Sequence, residues 1–196
     1  MVDASGRAKG NVDIVPSIDL PIYFKGQYTR AAAWTKDYGT FQAPPPPPPP
    51  TPSPSSFMTN EGYLCPNEDV NRNGINEAGE DQNRNGSLEP RKSDVAISLI
   101  GGSKTKDDGT VVVQIEYPQN IASWLQVKLL VSATGVSGTE GRATWTEILP
   151  VPFEFLQRTP APPFVFSPYG IAVTTQAVTY ADGLMNPAAA PCQNPN

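Results

Sequence analysis

Alternating apolar and polar residues mark short strands in the second half of the chain. The run 110–118, TVVVQIEYP, places Gln114 and Glu116 on one face and Val111, Val113, Ile115 and Tyr117 on the other. Further runs of this kind occupy 94–101, 126–135, 138–150, 164–170 and 171–180. Because the runs are short and bounded by turn residues, the pattern predicts an all-β chain folded as an immunoglobulin-like β-sandwich.

Two of these runs assign particular apolar residues to a common face. In 126–135, Val127, Leu129, Val131 and Ala133 point the same way. In 138–150, the residues that share a face are Ala143, Trp145 and Leu149. Trp34, Trp124 and Trp145 are interpreted as core or sheet-packing residues, with a ligand-binding platform as the alternative.

The first part of the chain also reads as strands, in 11–24 and 27–41. Pro16 and Pro21 interrupt the first run, which favours edge strands or bends over a central strand. No amphipathic pattern longer than about two helical turns occurs. Residues 44–54 contain a run of prolines that predicts a stiff polyproline II surface loop; a ligand for a proline-reading domain is the alternative.

Composition excludes several kinds of catalytic site. The chain has no histidine and two cysteines, which rules out Ser–His–Asp and Cys–His nucleophiles and zinc sites built on imidazole or on several thiolates. The net charge is −5, of which −4 lies in 68–90, where six acidic residues face two arginines. We therefore expect a protein that is not an enzyme, has no nucleic-acid partner and does not insert into a membrane.

The acidic segment repeats one phrase, DxNxNGxxE, with a period of twelve. Oxygen-bearing residues at alternate positions, with glycine at position 6 (Gly74 and Gly86), allow a chain to wrap around a hard cation such as Ca²⁺. The predicted ligands of the first loop are Asp69, Asn71, Asn73, the carbonyl of Ile75, Glu77 and Glu80. Those of the second are Asp81, Asn83, Asn85, Ser87 and Glu89.

The two loops are unequal in sequence. Position 12 is Glu80 in the first loop but Lys92 in the second, so the closing carboxylate is missing and the second site is expected to be the weaker. The tandem phrase resembles the aspartate-rich calcium repeats of thrombospondin type 3, in which neighbouring loops share acidic residues, so Glu80 or Asp81 could serve both loops. One or two calcium ions are compatible with the pattern, and a flexible solvated linker is the alternative.

Cys65 and Cys192 are predicted to form one disulfide, with two unpaired buried thiols as the alternative. A disulfide favours export to an extracellular or cell-surface location. The first residues lack the apolar centre of a signal peptide, so we expect either a cytoplasmic protein or a piece of a longer exported chain, with the cysteines favouring the latter.

The predicted organisation has five parts. They are N-terminal strands of the sandwich (1–43), a Pro-rich linker or loop (44–56), a tandem calcium-loop insertion (57–93), the main sandwich strands (94–180) and a Pro/Ala-rich tail tied by the disulfide (181–196).

From Asp94 onward the chain resembles bacterial immunoglobulin-like domains of the invasin/intimin type. The residues that carry this likeness are Asp107, Gly109 and Val111 in a turn and strand, and the GTEG turn at 138–141. The CPNED and SPYG segments look like the terminal part of large Ig-repeat surface proteins of Gram-negative bacteria. The resemblance implies an exported, calcium-stiffened sandwich and supplies no catalytic residues.

The expected function is a structural or adhesion module that contacts a protein partner or copies of itself. The alternative is a subunit of an extracellular, pilus-like filament assembled by β-strand complementation. A carbohydrate ligand would require a row of exposed aromatic side chains, for which the sequence gives no support.

Overall fold

A computed structural model describes residues 1–2, 5–30, 34–37, 64–134, 141–157, 161 and 163–196. Antiparallel strands dominate this part of the chain, which confirms the predicted all-β class. The strands are β1 (Asp13–Phe24), β2 (Gln27–Arg30), β3 (Trp34–Asp37), β4 (Leu64–Pro66), β5 (Ala96–Ile100), β6 (Val112–Glu116), β7 (Leu125–Thr134), β8 (Gly141–Ile148), β9 (Gln176–Thr179) and β10 (Met185–Ala189). The predicted Pro-rich loop, 44–56, lies outside the described residues, as do 138–140 of the GTEG turn.

Helical structure in the described residues is short. The α-helix α1 (Phe153–Gln157) has five residues, in keeping with the absence of a long amphipathic pattern. Three 3₁₀ turns lie at Lys92–Asp94, Gln119–Ile121 and Pro191–Gln193. No helix in the ranges that the structure describes has the length and apolar character to cross a membrane.

A four-stranded antiparallel sheet in the order β4-β1-β7-β8 forms the centre of the described structure. The β1–β7 pairing runs from Asp13 opposite Thr134 to Tyr23 opposite Leu125, and β8 continues the sheet beyond β7. The remaining strands form two-stranded antiparallel pairs, β2–β3, β5–β6 and β9–β10. The core side chains Trp124, Tyr23, Leu125, Val127 and Phe164 are buried where these elements meet.

The strand β1 is continuous and lies between β4 and β7 in the sheet, but β4 pairs with its last residues, Ile22, Tyr23 and Phe24. The part that holds Pro16 and Pro21 therefore pairs with β7 on one side, in keeping with the predicted edge position. Ile14 N–H donates to Ser103 O at 2.8 Å, on the side away from β7. Pro16, two residues later, faces that same side, so its missing N–H removes no bond to β7. Pro21 lies where the β1–β7 register shifts between Asp19 and Ile22. The sheet thus accommodates both prolines without a break.

Four predicted runs are confirmed as strands, namely 94–101, 110–118, 126–135 and 138–150, which contain β5 to β8. The prediction of a strand in 164–170 was wrong. That segment forms turns, with Gly170 N–H bonded to Ser167 O at 3.2 Å, and one bridge joins Phe166 to Gln27. In 171–180 the strand is limited to β9.

Trp124 and Trp145 differ in burial, and the side chain of Trp34 lies outside the described part of the structure. Trp124 is fully buried and its Nε1–H donates to Phe164 O at 2.8 Å, as expected for a core residue. Trp145 lies opposite Leu129 on the outer strand β8 and keeps 45% of its surface exposed. Ala143 is exposed like Trp145, whereas Leu149 is buried beyond the end of the strand. The predicted common face therefore does not form one buried surface.

The C-terminal tail is held by a buried lysine and by a disulfide. Cys65 of β4 is bonded to Cys192, as the sequence predicts. The fully buried Lys25 donates from Nζ to the backbone oxygens of Pro191 (3.0 Å), Asn194 and Asn196 (3.4 Å). Burial lowers the pKa of Lys25 to about 8, although the charges of Glu89 and Glu68 oppose this shift.

Candidate metal centre

The two repeated loops have the same backbone conformation at their tight turns. At position 4, Arg72 and Arg84 have φ of 65° and 56°, and at position 6, Gly74 and Gly86 have φ of 77° and 86°. Positive φ at two positions of a short phrase turns the chain sharply back on itself, and glycine tolerates it best. The repeat in sequence is therefore a repeat in structure.

In the first loop, polar side chains converge on the inside of this turn. Asp69 accepts the N–H groups of Asn73 at 3.0 Å and of Gly74 at 2.8 Å. The side-chain amides of Asn71 and Asn73 donate to Glu77 at 2.7 and 3.4 Å. Positions 1, 3, 5 and 9, all predicted ligands, thus lie together.

The second loop repeats these contacts. Asp81 accepts the N–H groups of Asn85 at 3.1 Å and of Gly86 at 2.8 Å. The side-chain amides of Asn83 and Asn85 donate to Glu89 at 2.9 and 3.0 Å. The Ser87 N–H donates to Asn85 Oδ1 at 2.8 Å, as Ile75 N–H does to Asn73 at 2.7 Å. The predicted ligands at positions 1, 3, 5, 7 and 9 thus each have a counterpart in the other loop.

The acidic residue at position 12 closes the first loop. Glu80 is buried, and its two carboxylate oxygens accept Val70 N–H at 3.1 Å and Glu77 N–H at 3.3 Å. Lys92, at position 12 of the second loop, is exposed on a 3₁₀ turn. The sequence alignment alone would leave the second loop without a closing carboxylate.

Glu68 lies at the second loop and was missed by reasoning from the sequence. It is 1% exposed, and its oxygens face the N–H groups of Glu89 at 3.1 Å and Asn83 at 3.4 Å. Its own N–H donates to Glu89 O at 2.8 Å. Glu68 precedes the first phrase by one residue, so a search by position within each loop could not assign it to the second.

The surroundings of Glu68 are strongly acidic. Burial, followed by the neighbouring Glu89 carboxyl, raises the pKa of Glu68 to about 8. Burial also raises the pKa of Tyr23, and the charges of Glu68, Glu89 and Asp81 act in the same direction. The Tyr23 hydroxyl is fully buried and has no hydrogen-bond partner within the described residues. An unpaired hydroxyl beside buried carboxyls is costly for a folded protein.

Ion pairs attach each loop to a different part of the fold. Arg72 of the first loop pairs with Asp19 of β1 at 2.7 Å. Arg84 of the second loop pairs with Asp182 at 3.2 Å and lies 4.6 Å from the ring centroid of Tyr180, beside the β9–β10 hairpin. Asn67 also donates from Nδ2 to Leu20 O at 2.8 Å, which joins the start of the segment to β1.

The donor set of the loops suits calcium in its chemistry. Ca²⁺ binds six to eight oxygen ligands, which carboxylates, Asn side chains and main-chain carbonyls all supply. In the described part of the chain, no group of three or more His, Cys, Asp or Glu side chains is positioned to hold a metal ion. Any site here must therefore rely on Asn amide and main-chain oxygens as well. The unpaired Tyr23 hydroxyl and the buried Glu68–Glu89 pair show polar groups that a cation would help to satisfy.

Comparison with protein-family models, curated proteins and solved structures finds no match to this chain.

Proposed function

We propose that this protein is a non-enzymatic extracellular or cell-surface module, structural or adhesive, whose tandem loops bind calcium. The observation that carries the proposal is the repetition of one loop geometry with the same oxygen-bearing positions on its inside. Asx and Gly turns occur in many proteins, but two copies in register with acidic residues at positions 1 and 9 favour a shared ligand.

In this proposal the calcium ion would be held by the predicted ligands of each loop. Asp69, Glu77 and Glu80 would supply the negative charge of the first loop, and Asn71 and Asn73 would supply neutral oxygens. Asp81 and Glu89 would have the equivalent role in the second. Two ions would bring a charge of +4, which offsets the local −4 of the segment. The ions would hold together a segment in which 71–79 are exposed.

The proposed location is supported by the disulfide. Cys65 and Cys192 are 127 positions apart in sequence and are bonded, and stable disulfides are typical of exported proteins. The proposed fold of the module is an immunoglobulin-like sandwich. It is supported by the four-stranded antiparallel sheet and by Ile115 of the β5–β6 pair, which packs against the main core.

Thermal unfolding with and without calcium tests the proposal. The melting temperature of chelator-treated protein should rise on addition of calcium and fall again with excess chelator. Magnesium at the same concentration is the control, because it demands a tighter octahedron and should give a smaller shift. An identical melting temperature in calcium and in chelator would refute the structural calcium role.

The second candidate, a filament subunit, is favoured by the outer strand of the sheet. In the described structure β8 pairs with β7 on one side, and β8 is exposed on both faces, including Trp145. An open edge of this kind can accept a strand from a neighbour. Light scattering over a range of concentrations distinguishes the two functions, because a filament subunit should assemble and a module should stay monomeric.

A further inference from the structure

The closing carboxylates of the two loops can be compared through the amides that they accept. Glu80 accepts the N–H of Glu77, the residue at position 9 of the first loop. Glu68 accepts the N–H of Glu89, the residue at position 9 of the second loop. Each carboxylate also accepts an N–H near the start of its loop, from Val70 and Asn83. Glu68 thus occupies in the second loop the place that Glu80 has in the first.

Glu68 is more deeply buried than Glu80, so leaving its charge uncompensated costs more free energy. Glu68 is 1% exposed, and the Glu89 carboxyl beside it is 7% exposed. The Tyr23 hydroxyl lies near this pair and has no exposed surface and no hydrogen-bond partner among the described residues. Native proteins rarely bury two carboxyls and an unpaired hydroxyl together without a compensating group.

We propose that Glu68 is a calcium ligand of the second loop. It supplies the carboxylate that is missing at position 12, where the second loop has Lys92. This inference rests on the proposed calcium function. The second site then takes one ligand from outside its twelve residues, and the charge of the site includes Glu68, Asp81 and Glu89. With Glu68 the second loop has as many acidic residues in its donor set as the first, so Lys92 at position 12 gives no reason to expect a weaker second site, in contrast to the expectation from sequence.

The position of Glu68 also connects the second site to the disulfide. Glu68 follows Cys65 by three residues, and Asn67 between them is tied to β1 through Leu20 and Pro21. Three residues can shift little when both sides are fixed. The closing carboxylate of the second loop is therefore positioned by the sheet, whereas Glu80 is positioned by its own loop.

Isothermal titration with calcium, on wild type and on E68Q and E80Q, tests the inference. Wild type by itself tests the calcium function, and an absence of binding would overturn both proposals. With binding present, E68Q should weaken one calcium event by roughly tenfold or more and leave the event that E80Q weakens unchanged. Terbium luminescence excited through tyrosine should fall in E68Q, because Tyr23 lies near Glu68 and Glu89.

The variants show whether Glu68, and not Glu80 or Lys92, determines calcium binding at the second loop. If E68Q binds calcium with the affinities of wild type, the inference is overturned. It is also overturned if E68Q and E80Q weaken the same binding event. Circular dichroism checks the fold of each variant. If E68Q does not fold, E68D keeps the charge and shortens the side chain, and it should weaken the same event. K92Q is the matched control, and reduced calcium affinity in K92Q would overturn the inference.

Discussion

The two repeated loops have the same backbone conformation at their tight turns and differ in how far their side chains are buried. In the first loop, Asn71 and Asn73 are exposed, and Ile75 leaves 61% of its surface open to solvent. In the second loop, Asn83 is fully buried and Glu89 nearly so. The same phrase therefore forms the same turn whether or not protein covers it.

This difference separates what the loop sequence determines from what the surrounding fold determines. The turns follow from Asp, Asn and Gly at fixed positions, which bond to the backbone locally. The cost of losing one of these bonds depends on whether water can replace it. We therefore expect equal effects from changes to the backbone and unequal effects from changes to the side chains.

The largest effect should follow removal of the Cys65–Cys192 disulfide, in which Cys65 lies three residues before Glu68 at the second loop. C65A/C192A should lower the free energy of unfolding by up to about 5 kcal/mol, because the bond closes a long loop in the unfolded chain. Denaturant unfolding measures the loss, with reduced wild type as the control. If both proteins unfold at the denaturant concentration of oxidised wild type, the disulfide is not stabilising.

The second largest effect concerns Lys25. Burial lowers its pKa, and the charges of Glu89 and Glu68 at the second loop oppose that shift. Between the folded pKa of about 8 and the ordinary value of 10.5, the unfolded chain binds a proton that the folded protein has lost. The contribution of Lys25 to stability should therefore rise with pH across this window, by at most about 3 kcal/mol.

Unfolding of metal-free wild type and K25M at several pH values from 8 to 10 measures this contribution. The difference in unfolding free energy between the two proteins should grow as pH rises. A difference that is independent of pH would contradict the lowered pKa. The buried hydroxyls of Tyr23, Tyr28 and Tyr169, whose pKa values are raised by burial, should reduce stability above their ordinary value of 10, so the comparison stops there.

A matched pair at position 3 tests the difference in burial directly. N83A removes a buried amide that donates to Glu89 and accepts from Asn85, and it should cost about 2 kcal/mol in metal-free protein. N71A removes an exposed amide and should cost less than about 1 kcal/mol. Chemical denaturation gives both values. Equal costs would show that burial does not distinguish the loops.

A matched pair at position 6 tests their shared backbone. An added Cβ would meet no atom within 4 Å at Gly74 or Gly86, but both have positive φ. G74A and G86A should each cost about 1 kcal/mol through the left-handed conformation. Because strain and not burial causes the loss, melting curves should show the same change in both. A much larger loss in G86A would contradict the equivalence of the two turns.

Local patterns predicted much of this protein because they act over a few residues. Alternation gave β5 to β8, and the period of twelve identified two turns of equal conformation. The bond between Cys65 and Cys192 was predicted because the chain has two well-separated cysteines in a β-rich sequence. Each of these inferences depends on residues whose chemistry leaves few alternatives.

Contacts between distant segments were not accessible in the same way. The place of β1 between β4 and β7 depends on pairings with segments that are at least 40 residues away in sequence, and alternation does not specify those partners. Likewise, Glu68 meets Asn83 and Glu89 because the chain folds back over more than a dozen residues. The turn at Ser167 to Gly170 interrupts an apolar run whose aromatic residues resemble a strand.

The Cys65–Cys192 bond has a mechanical consequence for a protein under tension. When force is applied to the chain on both sides of the bond, the load passes from Cys65 to Cys192 and bypasses everything between them. That segment holds both loops and the strands β5 to β10, about 400 Å of extensible chain that tension cannot release. The loops are therefore shielded from pulling, whereas the described strands β1 to β3, which precede Cys65, can lengthen under load.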